Sequence, residues 1–106
     1  MSLEYVSVAS LSDVPPGEVM GVNPAVGYHI VLCNVNGDIY AVDDACSHAG
    51  GMLQFGELIG ELIRCPLHSA EFDVKTGDAV ESPAKEPLST HPVRVIDGQI
   101  EVGIEF

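Results

Sequence analysis

The sequence predicts an all-β fold, an antiparallel β sandwich or barrel-like base carrying a small inserted lobe. Helical periodicity is poor throughout, while short runs of alternating apolar residues recur between Gly, Pro, Asn and Asp. "NG" at Asn36–Gly37 and "DG" at Asp97–Gly98 each sit between two apolar runs, the strongest short-range signal for a β-hairpin. The 106 residues, 46% of them hydrophobic, suffice for one domain with a modest core.

Taken in order, the first strand is expected over Glu4–Val8. The breakers Pro15–Pro16–Gly17 follow it, and a second strand runs over Glu18–Val22 until Asn23–Pro24 stops it. Tyr28–Val35 and Asp38–Val42 flank the Asn-Gly turn and form a hairpin. Glu61–Arg64 and Ala70–Asp73 are short strands, the latter followed by the turn "KTGD" at Lys75–Asp78. Val93–Ile96 and Gln99–Ile104 flank the Asp-Gly turn and make the closing hairpin. Residues 1–106 therefore read as a single domain, with a base from residues 1–42 and 83–106 and an inserted lobe over residues 43–82.

Charge narrows the function classes. The formal net charge is −12, with only Arg64, Lys75, Lys85 and Arg94 on the positive side. Such a surface repels nucleic acid and anionic lipid and favours partners with basic faces, and it also keeps a protein in solution. The most apolar run, "GYHIVLCNV", is too short to span a bilayer. "MSLEYVSVAS" has neither a basic start nor an apolar segment of a secretion signal, so the expected location is the cytoplasm. Three cysteines in such a chain argue for ligands plus a bystander over a disulfide framework.

Two cysteines are paired with histidines. "CSHAGG" at 46–51 supplies Cys46 and His48, and "CPLH" at 65–68 supplies Cys65 and His68. Two thiolates and two imidazoles suggest a structural zinc site, yet zinc folds usually draw like ligands in pairs. Here each loop gives one of each, and Cys46-x-His48 is tight for two ligands closing on one ion. Mixed pairs suit two metals, each loop giving a sulfur to one and a nitrogen to the other.

The pattern Cys-x-His-x₁₆-Cys-x-x-His resembles the Rieske ferredoxin family, in which two histidines replace two cysteines on one iron of a [2Fe–2S] cluster. The resemblance extends through "NGDIYAVDDACSHAGG", "CPLHSAEFDVKTGDAV" and "SPAKEPLSTHPVRV". It implies that Cys46 and Cys65 bind the inner iron and His48 and His68 the outer one. With neutral imidazoles the oxidised cluster carries no net charge, which makes reduction easier than in an all-cysteine centre. The resemblance also locates departures. High-potential members carry a disulfide across the cluster, and the corresponding places here are Gly51 and Leu67. They use a serine two residues past the second histidine and a tyrosine in the next proline loop; this chain has Ala70 and no tyrosine over Ser82–Leu88. Fewer donors to the sulfurs imply a potential near the low end of the Rieske range, about −150 mV. Ser69 stands where glycine is common.

With every iron position filled by protein or sulfide, no site is open to substrate, so the expected role is one-electron carriage. The resemblance implies a ferredoxin component of a bacterial aromatic-ring-hydroxylating dioxygenase system. Its partners would be a flavoprotein ferredoxin reductase that draws on NAD(P)H and a terminal oxygenase. The alternatives are a Rieske-type small subunit of a nitrite reductase and a zinc-stabilised interaction module.

The remaining candidates read as structural. Cys33 is expected to be a buried, inert thiol far from the ligand loops. His29 is expected on a strand surface, and His91, before Pro92, in an extended loop. Phe55 and Phe72 are expected in the core of the small lobe. Leu67 is expected on an apolar rim around an exposed histidine, and Ser82–Pro87 is expected to fold over the cluster.

Overall fold

The computed structural model describes residues 3–44, 53–66, 71–81 and 87–105. Within them the elements run β1 (Leu3–Ser10), a 3₁₀ turn (Leu11–Asp13), β2 (Val19–Val22), β3 (Ile30–Val35) and β4 (Asp38–Asp43). A second 3₁₀ turn (Leu53–Phe55) precedes β5 (Glu57–Ile59), β6 (Leu62–Arg64), β7 (Glu71–Asp73) and β8 (Ala79–Glu81). The chain ends with β9 (Thr90–His91), β10 (Val93–Ile96) and β11 (Gln99–Glu105). Among the described residues the strands form three antiparallel sheets, ordered β1-β11-β10, β2-β3-β4-β9 and β5-β6-β7-β8. No helix among them is long and apolar enough to cross a membrane.

The middle sheet explains the apolar run of β3. Every residue of Ile30–Val35 is buried. Ile30 and Leu32 pack in one cluster with Val14, Ala41, Ile100, Val102 and Ile104, mainly from the first two sheets. Val31, Cys33 and Val35 pack in the other with Val42, Leu53, Ile63, Phe72, Val74 and Leu88. A strand covered on both faces needs apolar residues at successive positions, so alternation is lost. The polar exception, Asn34, donates from Nδ2 to the Val14 carbonyl at 2.7 Å and accepts the Gly37 N–H at 2.7 Å.

Both hairpin turns have left-handed backbone at both central residues. Asn36 and Gly37 lie at φ 54° and 100°, and Asp97 and Gly98 at 51° and 77°. That is the geometry which Asn-Gly and Asp-Gly favour and which matches strand twist. The resulting pairs, β3 with β4 and β10 with β11, are those the sequence predicts.

Three short strands escape sequence reading, and each has a tertiary origin. β5 and β8 are three residues long and flank β6 and β7. β9 is two residues, pairing Thr90 and His91 with Val42 and Ala41 of β4. His91 is thus not in a loop: its Nε2 lies 2.8 Å from Asp43 Oδ1, and its ring meets Tyr28 edge-on at 6.2 Å.

Candidate metal centre

Of the four residues that motif spacing singles out, the described structure contains Cys65; Cys46, His48 and His68 lie outside the described residues, as do Leu67, Ser69 and most of the Ser82–Pro87 loop. The site can nonetheless be built from the roots of the segments that carry them.

The first root is the junction of β4 with the Leu53–Phe55 turn. The Leu53 N–H donates to the Asp44 carbonyl at 3.0 Å, bringing together the two ends of segment 45–52. The second root is the β6–β7 pair, where Arg64 and Glu71 stand opposite each other and bracket Cys65 to Ala70. Arg64 donates from Nε and Nη2 to Glu71 Oε2 at 2.9 and 2.7 Å, and a longer 3.5 Å contact reaches Glu57 on β5. Glu57, Arg64 and Glu71 are register partners across three strands, so the alternating charges form one ladder beside Cys65. The third root is Leu88, whose N–H donates to the Gly77 carbonyl at 2.7 Å. Gly77, at φ 82°, is pressed against the Leu88 carbonyl, where a side chain has no room.

These roots converge. Leu53, Cys65 and Leu88, one from each, belong to a single buried cluster with Phe72 and Val74. Cys65 is 1% exposed and borders a recess of about 410 Å³ whose described lining is Phe55, Gly56, Glu57, Arg64 and Pro66. Gly56 is packed against the Arg64 carbonyl so closely that a Cβ would collide with it, which seats the 3₁₀ turn directly on the strand that delivers Cys65.

Donor chemistry fits an iron–sulfur group. Cysteine sulfur is a soft ligand suited to iron–sulfur or zinc, and a shielded position excludes water from it. Cys33 is a different kind of sulfur. It is fully buried, and burial, reinforced by the Asp44 carboxylate, pushes its thiol up to about 12. At neutral pH it keeps its proton, and the thiolate is the ligating form. Cys33 is buried as expected, although it shares a core cluster with Cys65 and is not remote from it.

Two residues near Cys65 or the first loop root have surroundings that sequence patterns do not reveal. Phe55, expected in the core, is 74% exposed and stands at the recess beside Cys65 and Pro66; Phe72 is the buried one of the pair. Asp44 is 1% exposed. Burial raises its pKa, partly opposed by hydrogen bonds from Gln54 and Leu53. Its position two residues before Cys46 is the sole sequence signal for it.

Comparison with known proteins agrees with this geometry. The model of the Rieske [2Fe-2S] domain family matches residues 4–92. The ferredoxin component of the naphthalene 1,2-dioxygenase/salicylate 5-hydroxylase systems of Ralstonia sp. is 37% identical over 99% of this chain and 100% of its own. The 3-phenylpropionate/cinnamic acid dioxygenase ferredoxin subunit of Shigella flexneri is 41% identical over 96% and 95%. A chain in the complex of reduced oxygenase and oxidized ferredoxin in carbazole 1,9a-dioxygenase superposes with a TM-score of 0.88 at 34% identity, covering 92% of this chain and 91% of that one. The putative NADH-dependent nitrite reductase small subunit from Mycobacterium tuberculosis superposes at 0.87 over 100% and 99%, but at 18% identity it shares the fold alone.

Proposed function

The chain belongs to the Rieske [2Fe-2S] domain family, and we propose that it passes single electrons from a flavoprotein reductase to a terminal oxygenase that dihydroxylates an aromatic ring. It holds a Rieske [2Fe-2S] cluster and is the electron-transfer component of its system, not the catalytic one. The observation that supports the reading is that Leu53, Cys65 and Leu88, one from each loop root, belong to one buried cluster.

Cys46 and Cys65 would ligate the inner iron and His48 and His68 the outer one. When bound, the cluster accepts and returns one electron. The residues around it do the rest. The Leu53–Leu88–Phe72 cluster keeps water from the Cys65 side, and the Glu57–Arg64–Glu71 ladder stiffens the strand ends on which Cys65 rides. Exposed Phe55 offers an apolar contact beside the site for a docking protein. Residues 1–106 act as one domain in the cytoplasm, where a reductase can draw on NAD(P)H. The nitrite reductase reading has weaker support, since that likeness is one of fold.

The test is an EPR spectrum of the dithionite-reduced protein with iron and sulfide assays. Two irons, two acid-labile sulfides and nitrogen hyperfine coupling are expected, and His68→Ala should lose the cluster. A colourless, zinc-bearing protein would sink the proposal.

A further inference from the structure

We propose that Asp44 and Gln54 form a clasp that locks the root of the first ligand loop, making both positioning residues for the cluster. Asp44 is the buried carboxylate among the described residues, and its backbone and side chain make four hydrogen bonds with them. Its N–H donates to the His29 carbonyl at 2.8 Å and its carbonyl accepts the Leu53 N–H at 3.0 Å. Its Oδ1 accepts the Gln54 backbone N–H at 2.7 Å, and its Oδ2 accepts Gln54 Nε2 at 2.8 Å. Three of the four bonds run to Leu53 and Gln54, directly across the mouth of segment 45–52.

The far side of the clasp is equally specified. A Cβ at Gly21 of β2 would meet the terminal amide of Gln54 at 2.5 to 2.8 Å, so that amide packs closely against β2 where a side chain would otherwise stand. Loop closure alone needs just the backbone bond from Leu53 to Asp44. Burying a carboxylate is costly unless hydrogen bonds compensate it. A carboxylate gripped at both oxygens by one residue fixes the direction in which the chain leaves β4, two residues before Cys46 and four before His48. Outer-shell groups of this kind orient metal ligands.

The inference rests on the proposed ligand set, so the experiment includes a check on that set. Loaded protein is compared with Gln54→Met, which keeps the side chain's length without its amide, and with Gly21→Ala, which removes no hydrogen-bonding group but pushes the Gln54 amide away. Both should release iron to excess EDTA about tenfold faster or more and alter the EPR line shape of the reduced protein. Amide hydrogen exchange in the β1–β11 ladder should stay at the parent rate. Asp44→Asn should behave as the parent, because its amide still accepts the Gln54 backbone N–H and donates to Gln54 Oε1 after that amide flips. Parental iron release and line shape in both Q54M and G21A would overturn the clasp. So would faster exchange throughout the β1–β11 ladder in step with iron loss, which marks general destabilisation. Absence of nitrogen coupling in the parent spectrum would overturn the ligand set instead.

Discussion

At the scale of single residues, three sulfur atoms are told apart by position alone. Cys46 and Cys65, the proposed ligands, stand out in the sequence because their spacing to histidine is a chemical pattern, and Cys33 is legible as core because it sits in a continuous apolar run. Its raised pKa yields a prediction. An unfolded thiol ionises near pH 8.5, well below the native value of about 12, so the native state keeps a proton that the unfolded chain gives up. The Cys33 contribution is therefore complete below about pH 8.5 and is lost as pH rises toward about 12. Between about pH 8 and 11 the parent should lose about 3 kcal/mol more than Cys33→Ala, read from urea denaturation at each pH. The EPR spectrum of Cys33→Ala should match the parent. Asp44 and Phe55 were not legible in this way. Asp44 is one of 16 acidic residues, and nothing local marks it as the buried one. Phe55 and Phe72 carry equal hydrophobicity, so composition alone does not tell the exposed one from the buried one.

At the scale of elements, legibility follows whether the cause is local. The two hairpins were readable because Asn-Gly and Asp-Gly impose left-handed turns on their own. Strands β5, β8 and β9, two or three residues each, exist because a neighbouring strand offers them backbone partners, and no periodicity shows in so few residues. The turns of the small sheet separate these causes experimentally. Gly60 and Gly77 both have positive φ, 62° and 82°, but a Cβ at Gly60 meets nothing within 4 Å, while one at Gly77 runs into the Leu88 carbonyl. Gly60→Ala should cost the backbone penalty alone, about 1 to 2 kcal/mol. Gly77→Ala should cost more than this and break the bond from Leu88 that closes the third loop root. Thermal denaturation reads the first difference. Iron release to EDTA should accelerate in Gly77→Ala and hold at the parent rate in Gly60→Ala.

At the scale of the whole molecule, the field is almost unopposed. The described basic side chains are each already paired: Arg64 with Glu71, Lys75 with Glu61 and Arg94 with Glu101, at 2.6 to 2.7 Å. What a distant partner senses is the net charge of −12, spread over a body that presents one exposed phenylalanine next to its candidate metal centre. The two features act on different steps of docking. Long-range attraction to a basic face raises the encounter rate and is screened by salt, whereas apolar contact forms after encounter and sets how long the complex lasts. Electron transfer to the proposed terminal oxygenase, if its docking face is basic, should slow by about tenfold or more as ionic strength rises from about 0.01 to 0.5 M, followed by stopped-flow under second-order conditions. Phe55→Ala should keep the same salt slope while dissociating faster, by roughly tenfold for an anchor worth about 1.4 kcal/mol. A rate indifferent to ionic strength would remove the steering role of the acidic body. Unchanged dissociation in Phe55→Ala would place the docking contact elsewhere, even with the cluster and its ligands intact.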